Sequence, residues 1–240
     1  MSINPREIPT GAVRYNTDSN KMEVYIGSTW MEVAVSSPNL DGGARGIIAG
    51  GGIYPAETNT IQFITIPTQG NSTDFGDLTQ TREGIGGMSN TTRAVFSQGG
   101  NYGNPNYNNI DFITISSTGD ATDFGDANDS ARDVTSAGSN HTRGLTAGGY
   151  NDSSANNLDR IGAITFSTTG NALDFGNLVT GVREPFDGII STGIRGFNCG
   201  GVSPSFTDTI NMITIPTFGD AVDFGDLIQV GRQGGAVGNS

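Results

Sequence analysis

Four near-copies of one decapeptide constrain this chain more than anything else in it: "TQGNSTDFGD", "STGDATDFGD", "TTGNALDFGN" and "TFGDAVDFGD". Their phenylalanines, Phe75, Phe124, Phe175 and Phe224, recur at spacings of 49, 51 and 49 residues. A period of about 40–50 residues marks a repeat architecture whose units bury their apolar faces against one another. Ahead of each decapeptide runs a β-branched segment, "IQFITIPT", "IDFITISS", "IGAITFST" or "INMITIPT", with the alternation of a strand buried on one face. Gly70-Asn71, Gly119-Asp120, Gly170-Asn171 and Gly219-Asp220 read as tight hairpin turns, which makes TDFGD the returning strand.

Two further strands complete each period. "ARGIIAGG", "TRAVFSQGG", "TRGLTAGG" and "IRGFNCGG" each join an arginine and a short apolar run to paired glycines, which permit close backbone packing. After each DFG another arginine (Arg82, Arg132, Arg183, Arg232) opens a glycine-rich strand. With 37 glycines and only 15% charged residues, the chain is turn-rich and strand-forming. The expected fold is therefore all-β, with residues 44–240 forming a four-bladed β-propeller of four strands per blade. The first repeat lacks the strand that precedes "TRAVFSQGG", and "GRQGGAVGNS" at 231–240 matches it, so a circular offset is expected to close the ring. Closure by another subunit's strand is the alternative.

The Asp-Phe-Gly triplet resembles the magnesium-binding motif of protein kinases, but no phosphate loop, strand lysine or HRD loop accompanies it. A structural role is expected instead: each Phe buried against the neighbouring blade, with Asp74, Asp123, Asp174 and Asp223 bonding backbone amides or the repeat arginines. Four sets of equivalent aspartates offer hard-cation ligands, yet no EF-hand or nonapeptide spacing occurs, so turn capping is preferred and no metal or cofactor is expected.

Residues 10–34, "TGAVRYNTDSNKMEVYIGSTWMEVA", read as a β-meander. Tyr15, Met22, Val24, Trp30 and Val33 are expected to share an apolar face, too small to be stable without a partner. Residues 1–36 thus form a docking module, joined through a linker at 37–43 containing Pro38 and Gly42-Gly43.

The stretch "GAVRYNTDSNKMEVYIGSTW" resembles a short β-meander of bacteriophage virion proteins, especially cyanophage tail fibres and tail-associated proteins. The match falls on Gly11, Val13, Arg14, Tyr15, Asn16, Asn20, Lys21, Tyr25, Gly27 and Trp30 and covers about a tenth of the chain. The repeats resemble the glycine-rich, kelch-like repeats of cyanophage structural proteins, although kelch repeats carry a tryptophan and tyrosine that these lack. The resemblance implies a virion component that touches other virion proteins, with Arg14, Tyr15, Tyr25 and Trp30 as docking residues and homo-oligomerisation on the particle.

The most divergent segments follow the paired glycines and carry Tyr54, Tyr102, Tyr107, Tyr150 and Phe206 among Asn and Ser. Aromatic faces beside amides and hydroxyls suit a host glycan or envelope protein. Capsid decoration or a tail scaffold without a host ligand is the alternative. A glycan-degrading enzyme would need two carboxylates about 5–9.5 Å apart. Most acids here are repeated in every period, and Glu57, Asp152 and Glu184 are scattered exceptions, so no enzyme is expected.

The net charge of −12 disfavours nucleic acid and anionic membranes as partners. One cysteine, Cys199, and one histidine, His141, leave no disulfide framework or zinc site. The N-terminus has no signal-like apolar region and no long apolar run follows, so synthesis in a cytoplasm without a membrane anchor is expected, and the resemblance implies residence in the virion.

Overall fold

The computed structural model describes residues 8–17, 21–33, 45–53, 55–101, 106–186 and 190–236. The sequence-derived linker at 37–43 lies outside them, as do Tyr54, Tyr102 and residues 237–240. The described residues form strands, turns and isolated bridges, without a helix, so the fold is all-β. The chain divides into two compact units, residues 1–40 and 41–240.

The first unit is an antiparallel meander of β1 (Val13–Asn16), β2 (Lys21–Ile26) and β3 (Thr29–Glu32). Its register sets Val13 opposite Val24, Tyr15 opposite Met22 and Val24 opposite Met31. Those residues share one face, on which Val13, Tyr15, Met22 and Met31 are all exposed. Trp30 does not belong to that face, contrary to the sequence expectation. It pairs with Tyr25, one residue out of phase with Val24, and successive strand residues point to opposite sides. Trp30 thus packs with Tyr25, ring centroids 5.3 Å apart, beneath the Arg14 guanidinium at 4.2 Å.

The second unit contains four sheets. Sheet 1 is β4 (Arg45–Ala49), β7 (Thr60–Thr65) and β8 (Thr73–Asp77), with a small ribbon of β5 (Gly52–Ile53) and β6 (Ala56–Glu57). Sheet 2 is β9 (Gly86–Ser89), β10 (Arg93–Ser97), β11 (Asn109–Thr114) and β12 (Thr122–Asp126). Sheet 3 is β13 (Thr135–Ser139), β14 (Arg143–Ala147), β17 (Arg160–Thr165) and β18 (Leu173–Asn177), and its ribbon is β15 (Tyr150–Asn151) with β16 (Asn156–Asn157). Sheet 4 is β19 (Ile190–Ser191), β20 (Arg195–Ser203), β21 (Ser205–Thr214) and β22 (Val222–Asp226). Among the described residues all pairings are antiparallel, and sheet 1 has three strands where the others have four.

The repeated DFG is a β-bulge. In sheet 1, Ile61 pairs with Gly76 and Gln62 with Asp74, which leaves Phe75 as the extra residue. The same register shift recurs at Phe124, Phe175 and Phe224. The glycine after each Phe has φ between +141° and +151°, a conformation open to glycine and not to a residue with a Cβ.

The bulge directs one sheet onto the next. The Gly119 amide donates to the Phe75 carbonyl at 2.7 Å, Ala121 N to Asp77 O at 2.8 Å, and Asp77 N to the Asp120 carboxylate at 3.0 Å. Between sheets 2 and 3 the same bonds run from Gly170 N to Phe124 O, Ala172 N to Asp126 O, and Asp126 N to Asn171 Oδ1. Sheets 3 and 4 repeat them with Gly219, Ala221 and Asp220 against Phe175 and Asn177. The Gly–Asn/Asp pairs therefore do not close tight hairpins, as their composition suggests. The turn comes earlier, where Thr68 N bonds Thr65 O, and the Gly–Asn/Asp pair is spent on the neighbouring sheet.

Around these bonds lie three apolar cores, one per interface. Phe75 packs with Ile113 and Ile115, Phe124 with Ile164 and Phe166, and Phe175 with Ile213 and Ile215. Each interface is clasped by an arginine that reaches across to a carbonyl at 2.6 Å: Arg45 to Ile115, Arg93 to Phe166, Arg143 to Ile215. Among the described residues no such contact joins sheet 4 to sheet 1. Phe224 is 56% exposed, whereas Phe75, Phe124 and Phe175 are each 3% exposed. Gly235 forms an isolated bridge, residues 237–240 of the expected closing strand lie outside the described residues, and among the described strands β4 is an edge strand of sheet 1.

Candidate functional site

The paired glycines bring the loops to one end of the array. Gly51, Gly99, Gly149 and Gly201 each donate an amide hydrogen to the segment that leaves a DFG strand, at Arg82 O, Ala131 O, Val182 O and Gly231 O. A Cβ on Gly148 would stand 2.5 Å from Val182 O, so the close approach depends on its absence. Beyond the glycines the chain bridges back: Glu83 pairs with Gly100, Arg132 with Tyr150 and Arg183 with Val202.

Those bridges collect the repeat arginines and their neighbouring acids. Arg132 forks onto Asp152, with Nε 3.0 Å from Oδ2 and Nη2 3.3 Å from Oδ1, and also meets Asp133 at 2.6 Å. The bond to Asp152 raises the Arg132 pKa above its ordinary value, and burial opposes it. Burial pushes the Asp133 carboxyl up, Arg132 pulls it down, and Glu184 adds like-charge repulsion. Glu184 itself pairs with Arg232. Asp133, Glu184 and Gln233 all sit in the left-handed region at φ of 56°, 51° and 52°, and backbone bonds from Glu184 N to Asp133 O and Gln233 N to Glu184 O stack them.

Of the five loop aromatics named from sequence, Tyr54 and Tyr102 fall outside the described residues. Tyr107 is half-buried and anchored by its amide to Gly99 O. The Tyr150 ring lies against two guanidinium groups, 5.2 Å from Arg132 and 4.5 Å from Arg183. Phe206 is exposed beside Arg232, at 5.5 Å. The Tyr150 and Phe206 rings are thus already engaged by cations. Among the described residues of this end, Arg132, Asp152, Arg183 and Phe206 form a rim whose chemistry would suit hydroxyl-rich or charged groups. Sequence reasoning named Asp152 only as a scattered acid. Its alignment with Arg132 follows from the bridge at Tyr150, which no local pattern announces.

At the opposite end of the strands, the turns of sheets 2, 3 and 4 surround a cleft of about 380 Å³ lined by Ser89, Asn90, Ser139, Asn140, His141 and Thr192. Asn90 and Asn140 accept backbone bonds within their own turns and donate to His141 O and Gly193 O of the next sheet. The recurring "SNTTR" and "SNHTR" were the available signal for this cleft.

The DFG aspartates do local work. Asp123 and Asp223 each accept from the glycine two residues on, and Asp174 lies 3.9 Å from Arg160. Among the described residues no group of three or more His, Cys, Asp or Glu side chains is placed to hold a metal, and no helix is long and apolar enough to cross a membrane.

The four residues expected from sequence to dock are divided between faces. Arg14, Tyr25 and Trp30 share one, where Arg14 Nε bonds Glu23 at 2.7 Å, and Tyr15 lies on the other. No protein-family model and no curated protein sequence matches this chain.

Proposed function

We propose that this chain is a non-enzymatic structural protein of a bacteriophage particle, tail- or fibre-associated. Its first unit docks on other virion proteins, and its four sheets act as propeller-type blades that present their loop end to a host glycan or envelope protein. The observation that carries the reading is the interface repeated three times with the same backbone bonds. It makes a stiff frame whose variable loops emerge in a row at one end, as recognition loops on a rigid scaffold do. The meander supports the docking role with its exposed face of Val13, Tyr15, Met22 and Met31. Asp152 and Glu184, two of the three repeat-breaking acids, are held in ion pairs, which suits architecture rather than acid–base chemistry.

A capsid-decoration or tail-scaffold role is the second reading. The engagement of Tyr150 by two arginines favours it, because a clasped ring offers less face for stacking on a sugar. Retention of the purified protein by host cells separates the two. Attachment predicts saturable retention that falls with Arg132→Ala and Phe206→Ala. No retention at high protein concentration contradicts attachment and leaves the scaffold reading.

A further inference from the structure

Both ends of the four-sheet array expose half of the interface that its interior uses three times. At the sheet 4 end stand the Phe224 side chain and carbonyl, the Asp226 amide and carbonyl, and the exposed Arg195 guanidinium. They occupy the positions of Phe75, Asp77 and Arg45 at the first interface. At the sheet 1 end stand the Gly70 amide, the Asn71 side chain, the Ser72 amide and the Ile66 carbonyl, equivalents of Gly119, Asp120, Ala121 and Ile115.

The apolar halves are bare in the same way. Ile66 is 63% and Ile64 41% exposed, whereas their counterparts Ile215 and Ile213 are fully buried. Among the described residues, sheet 1 also lacks the strand that β9 supplies to sheet 2. A cleft of about 310 Å³ lies beside its free strand β4, lined by Arg45, Gly46 and Ile47 on one side and Gly87, Met88 and Ser89 on the other. Residues 232–240 carry the sequence pattern of that strand.

From this complementarity we infer that two copies of the chain join head to tail, sheet 4 of each on sheet 1 of the other, each interface being a fourth copy of the internal one. Four sheets turned by a quarter circle apiece would cover both end faces within one chain, whereas here the Phe224 and Ile66 faces stand exposed. Two copies give eight blades, inside the usual range of about four to eight. A head-to-tail contact that closes in this way uses both ends and leaves no free edge. The inference rests on reading the sheets as blades and is independent of any host ligand.

The test is disulfide mapping on the full chain. Asp77 N and Asp120 Oδ1 are 3.0 Å apart at an internal interface, so the open equivalents are Asp226 and Asn71. Chains carrying Asp226→Cys alone and Asn71→Cys alone are mixed and oxidised, and the double variant is oxidised by itself. The native Cys199 is 8% exposed, with its thiol pKa pushed up by burial, which keeps it out of the exchange.

The expected results are a disulfide-linked heterodimer in the mixture, sedimentation of the unmodified chain at twice the monomer mass, and return to monomer mass in Phe224→Asp, whose exposed position leaves the fold of the single chain intact. An internal disulfide in the double variant without cross-linking in the mixture would overturn the inference, because the ends would then meet within one chain. A monomer without either cross-link, or a ladder of ever larger multimers, would overturn it too.

Discussion

The Arg82 guanidinium lies 2.9 Å from the Asp111 carboxylate, and both side chains are completely buried. The pair ties the segment leaving sheet 1 to β11 of sheet 2. Asp111 also accepts from the Thr79 amide and hydroxyl, and Arg82 donates to the Asn109 carbonyl at 2.9 Å. Burial lowers the Arg82 pKa, and the Asp111 charge opposes that shift. In the repeat frame Arg82 takes the place of Ala131 and Val182, and Glu83 that of Arg132 and Arg183, so the buried ion pair belongs to this interface's own sequence.

Removing one member of this pair should therefore cost more than any surface change. Asp111→Ala leaves an uncompensated charge in the interior and is expected to destabilise the fold by about 3–5 kcal/mol in urea unfolding. A loss below about 1 kcal/mol would mean that Arg82 finds water or another partner.

The repeat phenylalanines make an internal comparison. Phe124→Ala opens a cavity between sheets 2 and 3 and should cost about 3–5 kcal/mol. Phe224→Ala, at the same sequence position but on an open face, should cost less than about 0.5 kcal/mol at protein concentrations low enough to keep copies apart. Equal losses would show that the two environments are alike.

What the sequence made legible follows from locality. The period, the strands around Ile61, Ile110, Ile161 and Ile210, and the strand missing from sheet 1 are all written in alternation and spacing. The bulge at Phe75 was hidden, because TDFGD reads as a plain strand and its register is set by the opposing Ile61 and Gln62. Trp30 was misplaced because the phase of a strand pair depends on its turn, and "IGST" left that phase open by one residue. The loop-end pairing of Arg132 with Asp152 and the openness of the array depend on contacts between repeats, where residues far apart in the chain meet.

Glycines in the bulge separate backbone strain from packing. Gly125 has φ +142°, and a Cβ there would come within 2.5 Å of the Gly170 backbone; Gly225 has φ +141° with nothing within 4 Å. Gly225→Ala should show the strain alone, about 1–3 kcal/mol. Gly125→Ala should exceed it by at least about 1 kcal/mol, because backbone cannot give way as a flexible side chain does. Thermal unfolding of the two variants side by side reads the difference.

Asp133 gives a pH dependence of definite sign. Its folded pKa is raised, mainly by burial, so the folded state holds its proton more tightly than the unfolded chain does. Its contribution to stability is greatest below the unfolded value of about 4 and declines as pH rises through the folded value. Asp133→Asn removes that titration and suits the left-handed backbone at φ 56°. Stability of wild type relative to the variant should therefore fall from acid toward neutral pH in matched denaturant titrations. A rising difference would mean that Arg132 outweighs burial.

We propose a stiff array of sheets carried on a phage particle with its loops toward the host. Its most direct test is electron microscopy of intact particles labelled with antibody against residues 41–240. Label at the distal tail or fibres is the predicted result. Particles that carry no label, although the same antibody detects the purified chain, would contradict the account.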